Sequence, residues 1–171
     1  MATIRLERFE RAHLPVLDEL AADPDVLRFT RFPVPIPPGF AEAWWSRLED
    51  GRSSATREAF AVVDDRDGDV LGIAGAPQID RPARTAELGY VIARAHRGRG
   101  VATQALALLT SWGFSELLAL RLELLISVEN EASKRVAARC GYLREGVLRS
   151  LHLKGDLRSE TEIWSRLPSD R

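Results

Sequence analysis

The stretch "ARAHRGRGVATQAL", Ala93–Leu106, decides how this chain folds. Arg94, His96, Arg97 and Arg99 are crowded around Gly98 and Gly100, and a run of Ala and Leu at helical spacing follows at once. The segment before it, "TAELGYVIA", alternates as a strand does. A strand, a glycine turn and a helix in that order have a physical consequence. The first N–H groups of a helix have no partner inside it, and its dipole is positive there. Glycine adopts turns with positive φ and lets main-chain amides come close to an anion. The turn is thus a recipe for holding phosphate, with Arg97 and Arg99 adding charge. The plain alternative is a solvated turn with its arginines in water. Two familiar phosphate loops are absent. GxxxxGK[ST] does not occur, and after Gly98-Arg99-Gly100 the third glycine of GxGxxG is replaced by Thr103.

Working outward, "TIRLERFE" reads as a first strand. "RAHLPVLDELAADPDV" places Leu14, Leu17 and Leu20 at helical spacing and is expected to stop at Pro24. Four prolines within Pro33–Pro38 force an extended loop. "FAEAWWSRLED" follows as a short helix. "EAFAVVD" and "VLGIAGAPQI" are strands joined by the Asp/Gly turn "DRDGD". After the central turn come the helix "VATQALALLTSWGFSELL", the strand "RLELLISV", apolar on both faces and so expected in the middle of a sheet, and the helix "NEASKRVAARCGY". Asn130 is a good N-cap for that helix and Gly141 a good C′ residue. "GYLREGVLR" and "ETEIWSRL" close the chain as strands. The order β-α-α-β-β-β-α-β-α-β-β predicts a mixed α/β fold: an antiparallel meander continued by strand–helix crossovers, with helices on both sides of the sheet. No repeat or linker divides residues 1–171, which read as one domain.

The chain has 171 residues, Lys+Arg 24 against Asp+Glu 25, and 45% apolar residues. Balanced charge argues against a dedicated nucleic-acid binder. No apolar run approaches a membrane span, and Arg5, Glu7, Arg8 and Glu10 spoil any leader peptide. A soluble cytoplasmic protein without a membrane partner is expected. The single cysteine, Cys140, excludes an internal disulfide. It sits beside a helix-ending glycine on an apolar face, where a thiol is usually inert. His13, His96 and His152 show no metal-ligand spacing, so no metal is expected.

At the glycine turn the sequence resembles the GNAT acetyltransferase superfamily. The signature [RQ]-x-x-G-x-[GA] reads Arg97-Gly98-Arg99-Gly100-Val101-Ala102, and a second, Asn opening the next helix with Gly-aromatic closing it, reads Asn130 … Gly141-Tyr142. The cadence of "ELGYVIARAHRGRGVATQAL", "VENEASKRVAARCGY" and "REGVLR" is similar to the RimJ/RimL branch, which acetylates protein N-termini. The resemblance covers essentially the whole chain. It implies a mostly antiparallel, twisted sheet of about seven strands and acetyl-CoA as co-substrate. It further implies that main-chain groups of Val91 and Ile92 pair with pantetheine as an added strand. Amides of Gly98, Gly100, Ala102 and Thr103 cradle the pyrophosphate beside Arg97 and Arg99, with Val101 in the same turn, and Asn130 bonds the pantetheine arm.

Moving an acetyl group from a thioester to an amine requires an unprotonated amine, a donor for the oxyanion and release of a thiolate. No activated nucleophile is visible, so direct attack in a ternary complex is expected. A protein α-amine has pKa ≈ 7.7–8.0 and is roughly one-tenth free base at pH 7, whereas lysine is free about once in 2,500. An N-terminal acceptor therefore needs only a weak base. Glu87, on the strand leading to the turn and on one face with Gly89 and Val91, is the candidate, with Glu160 and Glu162 behind it. The plain alternative is a salt-bridged edge glutamate. Many family members carry a tyrosine seven residues after the Asn. Here that position is Ala137, and Ser133 is the substitute donor to the thiol unless it only caps its helix. The acceptor is expected to be a protein N-terminal α-amine. Small-molecule amines and a non-catalytic acyl-CoA-binding module are the alternatives, and the chain acts as monomer or homodimer. Arg31, Phe32, Trp44 and Trp45, around the proline loop, lie where the family shapes its acceptor pocket.

Overall fold

A computed structural model describes residues 3–154 and 157–170. Residues 1–2, 155–156 and 171 lie outside it, so the proposed domain limits 1 and 171 do too. Seven strands form one sheet in the order β1-β2-β3-β4-β5-β7-β6. They are β1 (Ile4–Arg8), β2 (Glu58–Asp64), β3 (Val70–Asp80), β4 (Thr85–Ile92), β5 (Arg121–Ser127), β6 (Leu143–Lys154) and β7 (Leu157–Arg166). Every pairing is antiparallel except β4 with β5. The expected mixed sheet of about seven strands is what forms. β5 is interior as its two-faced apolar pattern predicts, but its neighbour beyond is β7, which inserts between β5 and β6.

The helices are α1 (Pro15–Ala21), α2 (Pro24–Phe29), α3 (Phe40–Ser53), α4 (Val101–Ser115) and α5 (Glu131–Arg139). They cover both faces, and each face has its own core. Leu88 and Ile92 of β4 pack with Leu122, Leu124 and Ile126 of β5 under α4 and α5. Ala59, Ala61 and Val63 of β2 pack with Leu17, Leu20, Phe40 and Leu48 of α1 and α3 on the other face. Trp44 meets Phe9 edge to face at 5.0 Å between ring centroids, and both tryptophans border this second core.

Pro24 corrects the sequence reading. It does not end a helix but begins one: it is the first helical residue of α2, and Asp23 accepts from Asp25 N at 2.9 Å as N-cap. Proline fits that position because the N–H it lacks would be unpaired there. The tryptophan helix is also longer than "FAEAWWSRLED", reaching Ser53. Residues 30–39, with the proline run, form neither helix nor strand.

The second motif builds structure at both ends of α5. Asn130 Oδ1 accepts from Ser133 N at 3.1 Å. At the other end Tyr142 N donates to Ala137 O and Gly141 N to Ala138 O, with Gly141 at φ +76. This left-handed closure turns Tyr142 inward, where its hydroxyl meets Thr110 Oγ1 of α4 at 2.8 Å. A Cβ at Gly141 would lie no nearer than 3.4 Å to Arg166, so its cost is conformational. Gly141→Ala is expected to destabilise by about 1 kcal/mol, read by calorimetry as a melting point about 2–4 °C lower.

Candidate acyl-transfer site

β4 and β5 pair over three residues only, Thr85↔Arg121, Ala86↔Leu122 and Glu87↔Glu123. β4 then runs on to Ile92 and β5 to Ser127 without further pairing between them. On its other side β4 stays bonded to β3 as far as Gly72↔Ile92. Main-chain groups of β4 beyond Glu87 therefore have no strand partner on this side. Val91 and Ile92 lie on that edge.

The open edge leads to the glycine turn. Gly98 and Gly100 stand at φ +73 and +82, and a Cβ built on either meets nothing within 4 Å. Their need for glycine is therefore the left-handed backbone, and the space above them is open. α4 has no side-chain cap and no acidic residue in its first turn. Its first bond of helical spacing is Gln104 N to Gly100 O at 3.1 Å, so the N–H groups of Val101, Ala102 and Thr103 have no partner in the helix. Val101 turns its side chain into the core, 2% exposed. Arg99 is exposed and forms no ion pair among the described residues.

Arg97 departs from the expected picture. Its Nε donates to Ile92 O at 2.9 Å and its Nη2 to the buried carboxylate of Asp23 at 2.7 Å. The guanidinium is committed to fastening the end of β4 to the cap of α2, and the positive charge left for a phosphate is Arg99 with the helix terminus. A carboxylate that is 8% exposed loses its cation if Arg97 is shortened.

Two polar atoms near the opening have no hydrogen-bond partner among the described residues: Tyr90 Oη and Gln104 Nε2, both screened from solvent. Tyr90 is on β4 and Gln104 in α4. Tyr90 was not singled out by its sequence, since alternation marks it only as core. Its hydroxyl approaches Ser133 of α5 without the geometry of a full hydrogen bond, and burial pushes its pKa up to about 12. Ser133 thus has two features at once, an amide that serves the Asn130 cap and a hydroxyl beside Tyr90. Asn130 spends its carbonyl on the cap, and its amide nitrogen remains for another acceptor. The open strand edge, the uncapped helix and the orphaned polar atoms fit a long, polar, diphosphate-ended molecule.

Glu87 stands where the strands part. Arg31 Nη2 donates to its Oε1 at 2.7 Å, and the Glu87 side chain is 13% exposed. Its Oε2 has no partner among the described residues. A Cβ at neighbouring Gly89 would meet nothing within 4 Å, so there is room on this face beside the carboxylate. Glu162 is not equivalent to it. Its partners are Trp164 Nε1 at 2.9 Å and Arg144 Nε at 3.0 Å, with Lys134 of α5 nearby, on the α5 side of the sheet. Glu160 is exposed. The Cys140 thiol donates to Thr103 O at 3.4 Å and burial raises its pKa, as an inert core thiol requires. Among the described residues no group of His, Cys, Asp and Glu could hold a metal ion, and no helix is long and apolar enough to cross a membrane.

Residues 3–143 match the family described as "Acetyltransferase (GNAT) domain", and the chain belongs to that family. It is 26% identical over 85% of its length to the uncharacterized N-acetyltransferase p20 of Bacillus licheniformis, covering 82% of that protein. It is 30% identical over 85% of its length to the spermidine N(1)-acetyltransferase of Escherichia coli K12, covering 76% of it. To the ribosomal-protein-serine acetyltransferase of the same organism it is 29% identical, over 60% of this chain and 57% of that one. Three Bacillus subtilis relatives are matched over only about half their length. Among solved structures, RimL, a ribosomal L7/L12 alpha-N-protein acetyltransferase in complex with coenzyme A, superposes with TM-score 0.86 at 17% identity, over 98% of this chain and 95% of that one. The fold is the GNAT fold, and acetyl-CoA is the acyl donor of the class.

Two outcomes test this site. Saturating CoA is expected to raise the melting point by several degrees, since ligand at about 100 Kd adds about 2.7 kcal/mol, and Gly100→Val, with a β-branched residue forced to positive φ, should abolish most of that rise. Arg97→Gln is expected to destabilise the protein by about 1–3 kcal/mol for the stranded Asp23, read as a lower melting point both without and with CoA.

Proposed function

We propose that this single domain acetylates a protein N-terminal α-amine, by direct attack of the amine on acetyl-CoA in a ternary complex. The observation that carries this reading is the position of Glu87 at the parting of β4 and β5, with one carboxylate oxygen held by Arg31 and the other free. Acetyl-CoA supplies an activated acyl group. Val91 and Ile92 offer main-chain groups to its pantetheine, and the amides at Gly98, Gly100, Ala102 and Thr103, with Arg99 beside them, offer hydrogen bonds to its diphosphate. The Asn130 amide nitrogen completes that grip.

Glu87 Oε2 accepts the proton that leaves the acceptor nitrogen, directly or through one water. The new bond is N–C, the broken one C–S, and the departing sulfur takes up a proton. Ser133, backed by Tyr90, is the donor on that side, although a thiol of pKa near 8.5 leaves tolerably unaided. A carboxylate that already shares itself with Arg31 is suited to an amine needing little help. Freeing an α-amine at pH 7 costs about 1 kcal/mol, against nearly 5 for a lysine-like amine. The same sum disfavours a polyamine such as spermidine, despite the spermidine enzyme among the relatives. The ribosomal-protein relative supports a protein acceptor.

Glu87→Gln keeps an acceptor for Arg31, so the fold should hold. The variant is expected to bind acetyl-CoA normally and to lose about 10²–10⁴-fold in kcat with an N-terminal peptide. Unchanged kcat would remove Glu87 as base. Ser133→Ala should cost less, about tenfold or below. Acetylation of polyamines but of no peptide α-amine would overturn the acceptor assignment.

A further inference from the structure

The face that carries Glu87 also carries an excess of positive charge, brought there from distant parts of the chain. Sheet register establishes the first member. Ala59, Gly75 and Gly89 are opposite one another on β2, β3 and β4. β3 bulges between Gly75 and Gln78, and Gln78 comes opposite Glu87. On the two unbulged strands, two residues before Gly89 is Glu87 and two residues before Ala59 is Arg57, just ahead of β2, and the Glu87 carboxylate acts on the Arg57 guanidinium. Arg57 is held in place on both sides: Thr56 O accepts from Ile79 N at 2.9 Å, and Glu58 is opposite Ala76. Its stem lies against Gly51 of α3, whose own Cβ would come within 2.4 Å of Arg57 Cβ. The guanidinium forms no ion pair among the described residues. Burial first, then the positive charges of Arg47 and Arg31, lower its pKa.

The β6–β7 hairpin supplies the second member. His152↔Ser159 and Lys154↔Leu157 share a face with Leu148↔Thr161, and Ser127↔Thr161 carries that face to β5. Arg31, Glu87 and Lys154 all act on His152, whose pKa is lowered chiefly by burial, so the hairpin end reaches the Glu87 region. Lys154 Nζ is enclosed with no partner among the described residues. Among the described residues, the carboxylates of this face are already in ion pairs. Glu87 is paired with Arg31, and Glu123 and Glu145 share Arg121. Arg47, Arg57 and Lys154 are the surplus.

We propose that the acceptor is an acidic N-terminus: an α-amine seated at Glu87 whose following residues bring a carboxylate to Arg57, with Arg47 and Lys154 adding to the attraction. This rests on the α-amine reading above and narrows it. The spacing names the position. Arg57 and Glu87 are separated by two strand-to-strand steps of about 4.8 Å, so by about 10 Å, and an extended peptide advances about 3.3 Å per residue. The third residue of the acceptor therefore comes level with Arg57, and a long guanidinium arm also serves the second and fourth.

The test uses the full chain with acetyl-CoA and peptides that all begin with Ser, otherwise neutral, carrying one Asp at position 2, 3, 4 or 8, with an all-neutral peptide, a peptide carrying Lys at position 3, and spermidine alongside. The expected result is kcat/KM about tenfold higher for Asp at position 3 than for the neutral peptide, less gain at 2 and 4, none at 8, and the poorest turnover for the Lys peptide and spermidine. The gain should shrink as salt rises, because screening shortens to about 8 Å at physiological ionic strength. Arg57→Gln should erase most of the positional gain through KM, with the CoA-induced melting shift intact. If that variant does not fold, Lys154→Gln should reduce the gain in the same direction. Equal turnover of all Ser peptides, or an Asp gain that neither variant moves, overturns the acidic acceptor and leaves the α-amine reading standing. Turnover of spermidine alone overturns both.

Discussion

β4 and β5 are hydrogen-bonded for three residues and then part, and nearly everything else in the molecule is arranged around that parting. A sheet this wide would ordinarily be zipped to its ends, because unpaired main-chain groups inside a protein are costly. Here β3 holds one edge of β4 throughout, while the other edge is left open beyond Glu87. The chain then enters a turn whose left-handed backbone favours glycine at two positions, and the α4 helix starts with its first N–H groups unpaired within the helix. Three sets of groups without partners among the described residues follow one another in the chain: a strand edge, a left-handed turn and a helix terminus. The proposed occupant, with a peptide-like arm and a diphosphate end, carries partners for all three.

The side chains near the opening divide into those that hold it and those that work in it. Arg97, the first residue of the family signature, holds: it ties the last carbonyl of β4 to the cap of α2 and so fixes the entrance to the turn. Asn130 and Gly141 hold as well, aligning α5 so that Ser133 faces Tyr90, while Tyr142 bolts α5 to α4 through Thr110. Glu87 and Arg99 are left with free hydrogen-bonding capacity, as are the Asn130 amide and the two orphaned groups on Tyr90 and Gln104.

That division explains how much could be read from the residues alone. Periodicity and turn chemistry are local, so all seven strands, the four longer helices and both caps of α5 are legible in order, as is the glycine turn before α4. Pro24 misled because proline ends one helix as readily as it opens the next, and only the Asp23 cap distinguishes them. Arg97 misled for another reason: its partner Asp23 is 74 positions away, and no spacing rule reaches that far. Arg31 from beside the proline loop, Arg57 from just before β2 and Lys154 from the end of β6 converge toward Glu87, so this face exists only once register is known. The insertion of β7 between β5 and β6, which carries the hairpin over that face, is likewise a fact of topology.

The central claim is that main-chain amides, more than side chains, grip coenzyme A along the open edge and the glycine turn. Amide chemical shifts of the ¹⁵N-labelled protein, followed through a titration with CoA, address it directly. The largest changes are expected at Val91, Ile92, Gly98, Gly100, Ala102 and Thr103, with little movement at β1 or α3. Saturable binding that leaves those six amides in place, or no binding at all by folded protein, would contradict it.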